Sequence, residues 1–67
     1  MIEVRVNGTD TQLADGSTVA DLLTALGIQP AGVAVAVNGS VVPRADHPNT
    51  AVPDGATVEV LTAVQGG

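Results

Sequence analysis

Apolar and polar residues alternate from the start of the chain. Ile2, Val4 and Val6 are separated by Glu3, Arg5 and Asn7, the period of two produced by a strand with one buried face. Asn7-Gly8 follows, a pair that readily adopts the two positive φ angles of a tight hairpin turn. With that pair as the turn, Val6 faces Thr9, Val4 faces Thr11 and Ile2 faces Leu13, which predicts an antiparallel hairpin with one continuous, mostly apolar face. Asp15-Gly16-Ser17-Thr18 then reads as a loop entering a helix. Thr18 is the expected N-cap and Asp21 the reciprocal acid of a capping box, placed where the helix dipole favours an anion. Val19, Leu22, Leu23 and Leu26 fall at i, i+3, i+4 and i+7, an apolar stripe on a helix of about two to three turns. Gly27 and Pro30 supply its stop. So short a helix is marginal by itself and must lie on a sheet.

Val33-Ala34-Val35-Ala36-Val37 is apolar at every position, the pattern of a strand with both faces at least partly covered. A second Asn-Gly, Asn38-Gly39, returns it into Ser40-Val41-Val42. Pro43 has no N–H to donate, so this strand belongs at an edge. Residues 44–52 are irregular, broken by Pro48 and Asn49 and followed by Pro53, with room for one short helical turn. Asp54-Gly55 makes a last turn, and residues 57–64 form the longest β-favouring run. The order is hairpin, helix, hairpin, irregular crossover, strand. A helix joining two hairpins covers one face of a mixed sheet, and the final strand is best placed centrally, parallel to the first. This is an α+β architecture of the β-grasp type, with four to five strands and one main helix on one face. Residues 1–64 form a single domain and residues 65–67 a tail.

Composition narrows what such a domain can do. The 67 residues are 45% apolar but include no Phe, Trp, Tyr or Cys, and two arginines face seven acids with no lysine, for a net charge of −5. A core this small is packed from aliphatic side chains, without disulfide, thiolate zinc site or thiol nucleophile. Few cations and no aromatic to stack on a base argue against nucleic acid as a partner. The acidity favours solubility and steers the domain toward basic surfaces, although ordinary solubility charge explains it as well. Met1 leads directly into the first strand pattern without a basic segment or long apolar run, so neither a signal peptide nor a membrane span is expected, and the chain reads as cytoplasmic.

Candidate chemistry is sparse. His47, the one imidazole, lies between Asp46 and Pro48 and reads as a surface-loop histidine. Ser17 and Ser40 have no nearby histidine, and Asp15, Asp21 and Asp54 are accounted for by turns and capping, so no catalytic residue stands out. Gly27 and Gly32 have the spacing of a phosphate loop, but Val33-Ala34 stands where Lys and Ser/Thr are required. Asn7-Gly8-Thr9 and Asn38-Gly39-Ser40 match the glycosylation sequon, yet both are needed as turns. Gly66-Gly67 remains. Chance or truncation would explain it; functionally, two residues without Cβ can thread a narrow cleft and present a carboxylate, which needs activation before it can act as an acyl donor.

A β-grasp pattern ending in Gly66-Gly67 resembles the ubiquitin-like proteins, and among them the bacterial sulfur carriers of thiamine biosynthesis. The matching segments are the opening strand with Asn7-Gly8, Thr18-Val19-Ala20-Asp21-Leu22-Leu23, Val33-Ala34-Val35-Ala36-Val37-Asn38-Gly39, Val42-Pro43-Arg44, Asp54-Gly55 and the Gly-Gly end. They span essentially the whole chain. Residues 45–52 depart from the family's more continuous helical turn, and no role is carried over there. The resemblance implies that the Gly67 carboxylate is adenylated by an E1-like adenylating enzyme using ATP and magnesium. It is then converted to a thiocarboxylate with sulfur from a cysteine-persulfide donor and used by a thiazole synthase. Gly66 is then the spacer that lets the terminus thread into both partners. The chain itself would bind no cofactor or metal and perform no catalysis.

A carrier also needs a docking face. With Val33, Val35 and Val37 under the helix, Ala34, Ala36 and, across the hairpin, Val41 form an apolar outer face, joined by Leu61 and Ala63. Simple sheet filling explains the same residues. Arg44 is a candidate salt-bridge donor to an acidic rim, or simply a solvated side chain. Three other functions compete: the small subunit of molybdopterin synthase, a ubiquitin-like modifier, and a non-carrier β-grasp binding module. The first is usually longer, with aromatic and extra proline content before its terminus.

Overall fold

The computed structural model describes residues 1–29 and 31–62. In order they form β1 (Ile2–Val6), β2 (Thr9–Leu13), α1 (Val19–Ala25), β3 (Val33–Val37), β4 (Ser40–Val42), a 3₁₀ helix (Arg44–Asn49) and β5 (Thr57–Thr62). Pro30, residues 63–64 of the expected last strand and the 65–67 tail lie outside the described residues.

The five strands lie in the order β2-β1-β5-β3-β4, so the last strand in sequence is the central one in space. β1 pairs with β2 in the register expected from the turn, with Val6 opposite Thr9, Val4 opposite Thr11 and Ile2 opposite Leu13. Both turn asparagines have positive φ, 49° at Asn7 and 51° at Asn38, each followed by a left-handed glycine. This is the turn geometry whose twist matches that of the flanking strands. β5 runs parallel to β1 and antiparallel to β3, and β4 takes the outer edge, where Pro43 ends the pairing.

Both asparagines also perform a second task. The parallel pairing of β1 with β5 is short, Arg5 opposite Thr57 and Val6 opposite Val58. Past its end, the Asn7 amide takes the place of the next peptide: Nδ2 donates to the Val60 carbonyl at 3.0 Å and Oδ1 accepts from the Val60 N–H at 2.8 Å. At the other end of the ladder the Asp54 carboxylate accepts from the Glu3 N–H at 2.8 Å. On the opposite side of β5, the Asn38 N–H donates to the Thr57 carbonyl at 2.8 Å and its Oδ1 accepts from the Thr57 N–H at 2.9 Å. The central strand thus has its backbone groups satisfied beyond the reach of its neighbours.

The capping box is present in full, with the Asp21 N–H donating to Thr18 Oγ1 at 3.2 Å and the Thr18 N–H to Asp21 Oδ2 at 3.0 Å. Val19, Leu22 and Leu23 are buried, but Leu26, the expected fourth member of the stripe, is the C-cap and is 38% exposed. The helix ends one residue early because Gly27, at φ 70°, turns the chain left-handed. The Ile28 N–H then donates to the Leu23 carbonyl and the Gly27 N–H to that of Thr24, a Schellman closure. It folds Ile28 back against the core, where it is partly buried.

The core lies between α1 and one face of the sheet and includes Val4, Val6, Leu13, Val35, Val58 and Val60 beneath Val19, Leu22 and Leu23. The crossover joins it through Val52 and Ala56, tied down where the Val52 N–H donates to the Ser17 carbonyl and the Val19 N–H to that of Thr50. The expectation that both faces of β3 are at least partly covered holds at every position but Ala34. Val35 is buried and Val33 and Val37 partly so, but Ala34 is exposed and Ala36 only half-buried, because the single helix covers one side alone. Among the described residues no helix is long and apolar enough to cross a membrane.

The Asn7 amide makes two hydrogen bonds from a backbone position that disfavours most side chains. Asn7→Ala is expected to lower unfolding free energy by about 2–4 kcal/mol, from two net hydrogen bonds and the left-handed penalty. Asn7→Gly removes the amide without the backbone strain and should fall between that variant and wild type. A urea midpoint for Asn7→Gly equal to that of wild type would contradict the role given to the amide.

Candidate functional site

The side of the sheet facing away from α1 is open. Side chains alternate along each strand, so the residues next to the buried ones in sequence point outward. On β3, β4 and β5 these are Ala34, Ala36, Val41 and Leu61. Leu61 is 64% exposed and Val41 73%. The register places Ala34 opposite Leu61, and Ala36 between Val41 on one side and Glu59 on the other. Four of the five residues expected on the outer face are therefore brought together; Ala63 lies outside the described residues. Glu59 was missed, although strict alternation from Leu61 places it on the same face.

Toward β1 and β2 the same face becomes polar. Arg5 donates from Nε to Asp10 Oδ1 at 3.1 Å, both side chains well exposed. An exposed pair of this kind contributes little to stability. The outer face is thus divided into an ion-paired half on the first hairpin and an apolar half on the second, with β5 between them.

On the helix side, His47 overturns the expectation of a surface loop. It is 3% exposed, inside the 3₁₀ helix, with Nε2 3.1 Å from the Val42 carbonyl oxygen. A carbonyl can only accept, so Nε2 is the donor in this contact. Nδ1 is buried without a hydrogen-bond partner among the described residues. The cause is tertiary: the chain leaving β4 at Pro43 must close the core beside α1, and the His47 ring is the part-apolar plane that fills this space. A hollow of ≈ 210 Å³ remains there, lined by Ala20, Leu23, Thr24, Arg44, His47 and Pro48. Arg44 makes no ion pair among the described residues. The buried Ser17 hydroxyl donates to the Ala14 carbonyl at 2.7 Å and so belongs to the helix entry. No group of three or more potential metal-ligating side chains occurs among the described residues.

Gly66 and Gly67, the residues to which the sequence gives the chemistry, lie outside the described residues. The described part of the chain supplies what precedes them: a central strand fixed along both edges, and an open face beside it.

Residues 4–67 match the model of the ThiS family. The chain belongs to the ThiS family. It is 33% identical over 66 residues to the sulfur carrier protein ThiS of Escherichia coli K12, covering 98% of this chain and 100% of that protein. Its fold is similar to the crystal structure of the thiamine biosynthesis protein ThiS from Geobacter metallireducens, with a TM-score of 0.83 and 36% identity over 98% of this chain and 100% of the other. A solution structure of a thiamine biosynthesis protein from the same organism matches with a TM-score of 0.79 and 36% identity, over 98% of this chain and 88% of that one. The β-grasp arrangement of a mixed sheet and one helix is therefore the ThiS fold, and the resemblance drawn from the turns, capping box and Gly-Gly end is correct at the level of family.

The His47 Nε2–H donates to the Val42 carbonyl, and the ring packs beside α1. His47→Ala is expected to cost about 1–3 kcal/mol, whereas Leu61→Ala, on the open face, should leave stability unchanged within about 0.5 kcal/mol. Urea unfolding of the two variants checks both. An unchanged midpoint for His47→Ala would place the imidazole outside the core.

Proposed function

We propose that this chain carries sulfur for thiazole formation in thiamine biosynthesis, acting in the cytoplasm as a protein co-substrate and contributing no catalytic group of its own. The observation that carries the proposal is membership of the ThiS family across residues 4–67, in a sequence whose last two residues are glycines.

In this proposal the Gly67 carboxylate attacks the α-phosphate of ATP in the site of an E1-like adenylating enzyme, which holds the nucleotide and magnesium. Pyrophosphate leaves and the terminus becomes an acyl-adenylate. The terminal sulfur of a cysteine persulfide attacks that carbonyl and AMP leaves. A thiol then takes the remaining cysteine sulfur into a disulfide, freeing the Gly67 thiocarboxylate, which a thiazole synthase consumes. Gly66 keeps the approach free of side-chain bulk in both enzymes. The open face bearing Ala34, Ala36, Val41 and Leu61 is the docking surface, lying beside the strand that leads to the tail. Apolar side chains on an exposed sheet face suit the core of a protein interface better than solvent.

With a ThiS-activating enzyme, the chain is expected to stimulate exchange of labelled pyrophosphate into ATP. Deletion of Gly67 should reduce that exchange to the level of enzyme alone while leaving the urea midpoint unchanged. Equal exchange by the deletion variant and wild type would refute the assignment of the terminus.

A further inference from the structure

We infer that Glu59 selects the partner of the open face, by requiring a lysine or arginine from the adenylating enzyme at the border of its apolar half. This inference rests on the proposed carrier function and names the chemistry its partner must present. Glu59 is exposed on β5, the central strand. Across the sheet its neighbour is Ala36, which in turn lies opposite Val41, and two residues along the same strand comes Leu61, opposite Ala34. The carboxylate therefore stands on the strand between the two halves of the face, bordering the apolar one.

Among the described residues no ion pair joins it to a cation. Arg5, opposite Thr57 on the same face, is engaged with Asp10 at 3.1 Å. The Asn7 amide next to β5 is used at both ends by the Val60 backbone. The amino terminus pairs with Asp15 at 3.0 Å. Arg44 lies with Ala20 and Leu23 on the helix side of the sheet. Water solvates Glu59 as long as the face is open. A partner that covers the patch removes that water, and an unpaired carboxylate under an apolar lid is strongly unfavourable. A partner offering a cation at that point offsets the penalty most fully, and surfaces that are merely apolar are rejected, so the acid acts as a negative element of specificity.

A second copy of the chain is a poor occupant by the same reasoning. Twofold pairing through this face would cover two Glu59 carboxylates at once, between chains that each carry a net charge of −5. An enzyme surface with a basic residue set in an apolar patch is complementary in both respects, and the acidity of the carrier would also speed its encounter.

The test is the KM and kcat of the intact chain as substrate in pyrophosphate exchange, for wild type, Glu59→Gln and Glu59→Lys. KM is expected to rise about 10-fold for Glu59→Gln and about 100-fold or more for Glu59→Lys, with kcat within about twofold, because the interaction is made in docking and not at the terminus. Added salt should raise KM more steeply for wild type than for Glu59→Gln. Urea midpoints close to wild type confirm that the exposed substitutions leave the fold intact. A KM for Glu59→Lys within about twofold of wild type overturns the inference alone. A wild-type dimer in sedimentation that Leu61→Arg dissolves overturns it as well, by naming a different occupant. Failure of the wild-type chain to stimulate exchange refutes the carrier function together with this inference.

Discussion

The structure depends on fixing the last strand of the chain in the middle of the sheet. A central strand has two edges, and every N–H and C=O along both must find a partner. The neighbours available here are short: β1 offers β5 a ladder of two residue pairs, and the hairpin loops begin where more would be needed. The asparagines of the two turns supply the deficit. Asn7 closes the β1 side at Val60 and Asn38 the β3 side at Thr57, each from a left-handed backbone position that its own turn requires. Turn geometry and strand satisfaction are thus met by the same side chain.

That economy matters in a core without aromatics. Valine and leucine bury less surface per residue than phenylalanine or tryptophan, so directional contacts carry more of the specification of the fold. They include the reciprocal Thr18–Asp21 cap, the Schellman closure that brings Ile28 inward, and the His47 contact with the Val42 carbonyl. With one helix, only one side of the sheet is buried. The other side stays open, with Ala34, Val41 and Leu61 exposed on it.

The elements legible in the sequence were those governed by local rules. Alternation and the Asn-Gly pairs specified both hairpins and the register of the first; Thr18 and Asp21 specified the helix start; Pro43 specified an edge. The parallel central position of β5 followed from connection rules, and the outer-face residues Ala34, Ala36, Val41 and Leu61 from alternation. What escaped was tertiary in origin. His47 sits in a segment with no periodicity, and its burial follows from the space left between α1 and the end of β4. Leu26 satisfied the helical stripe but, as the last helical turn's C-cap, stays 38% exposed, while Ile28 beyond the Gly27 turn packs on the core. The side-chain roles of Asn7 and Asn38 could not be read from a turn signal that was already complete without them. For the site itself, Gly66-Gly67 was visible as a motif, and its meaning came from the family rather than from any surrounding geometry.

The proposed function stands or falls on the Gly67 carboxylate leaving its activating partner as a thiocarboxylate. Intact-mass and fragment-ion measurement after incubation with a ThiS-activating enzyme, ATP and a persulfide donor tests this directly. The account predicts replacement of one oxygen by sulfur, confined to fragments containing Gly67. An unchanged mass, under conditions in which the same enzyme converts another ThiS protein, or sulfur located elsewhere in the chain, would contradict it.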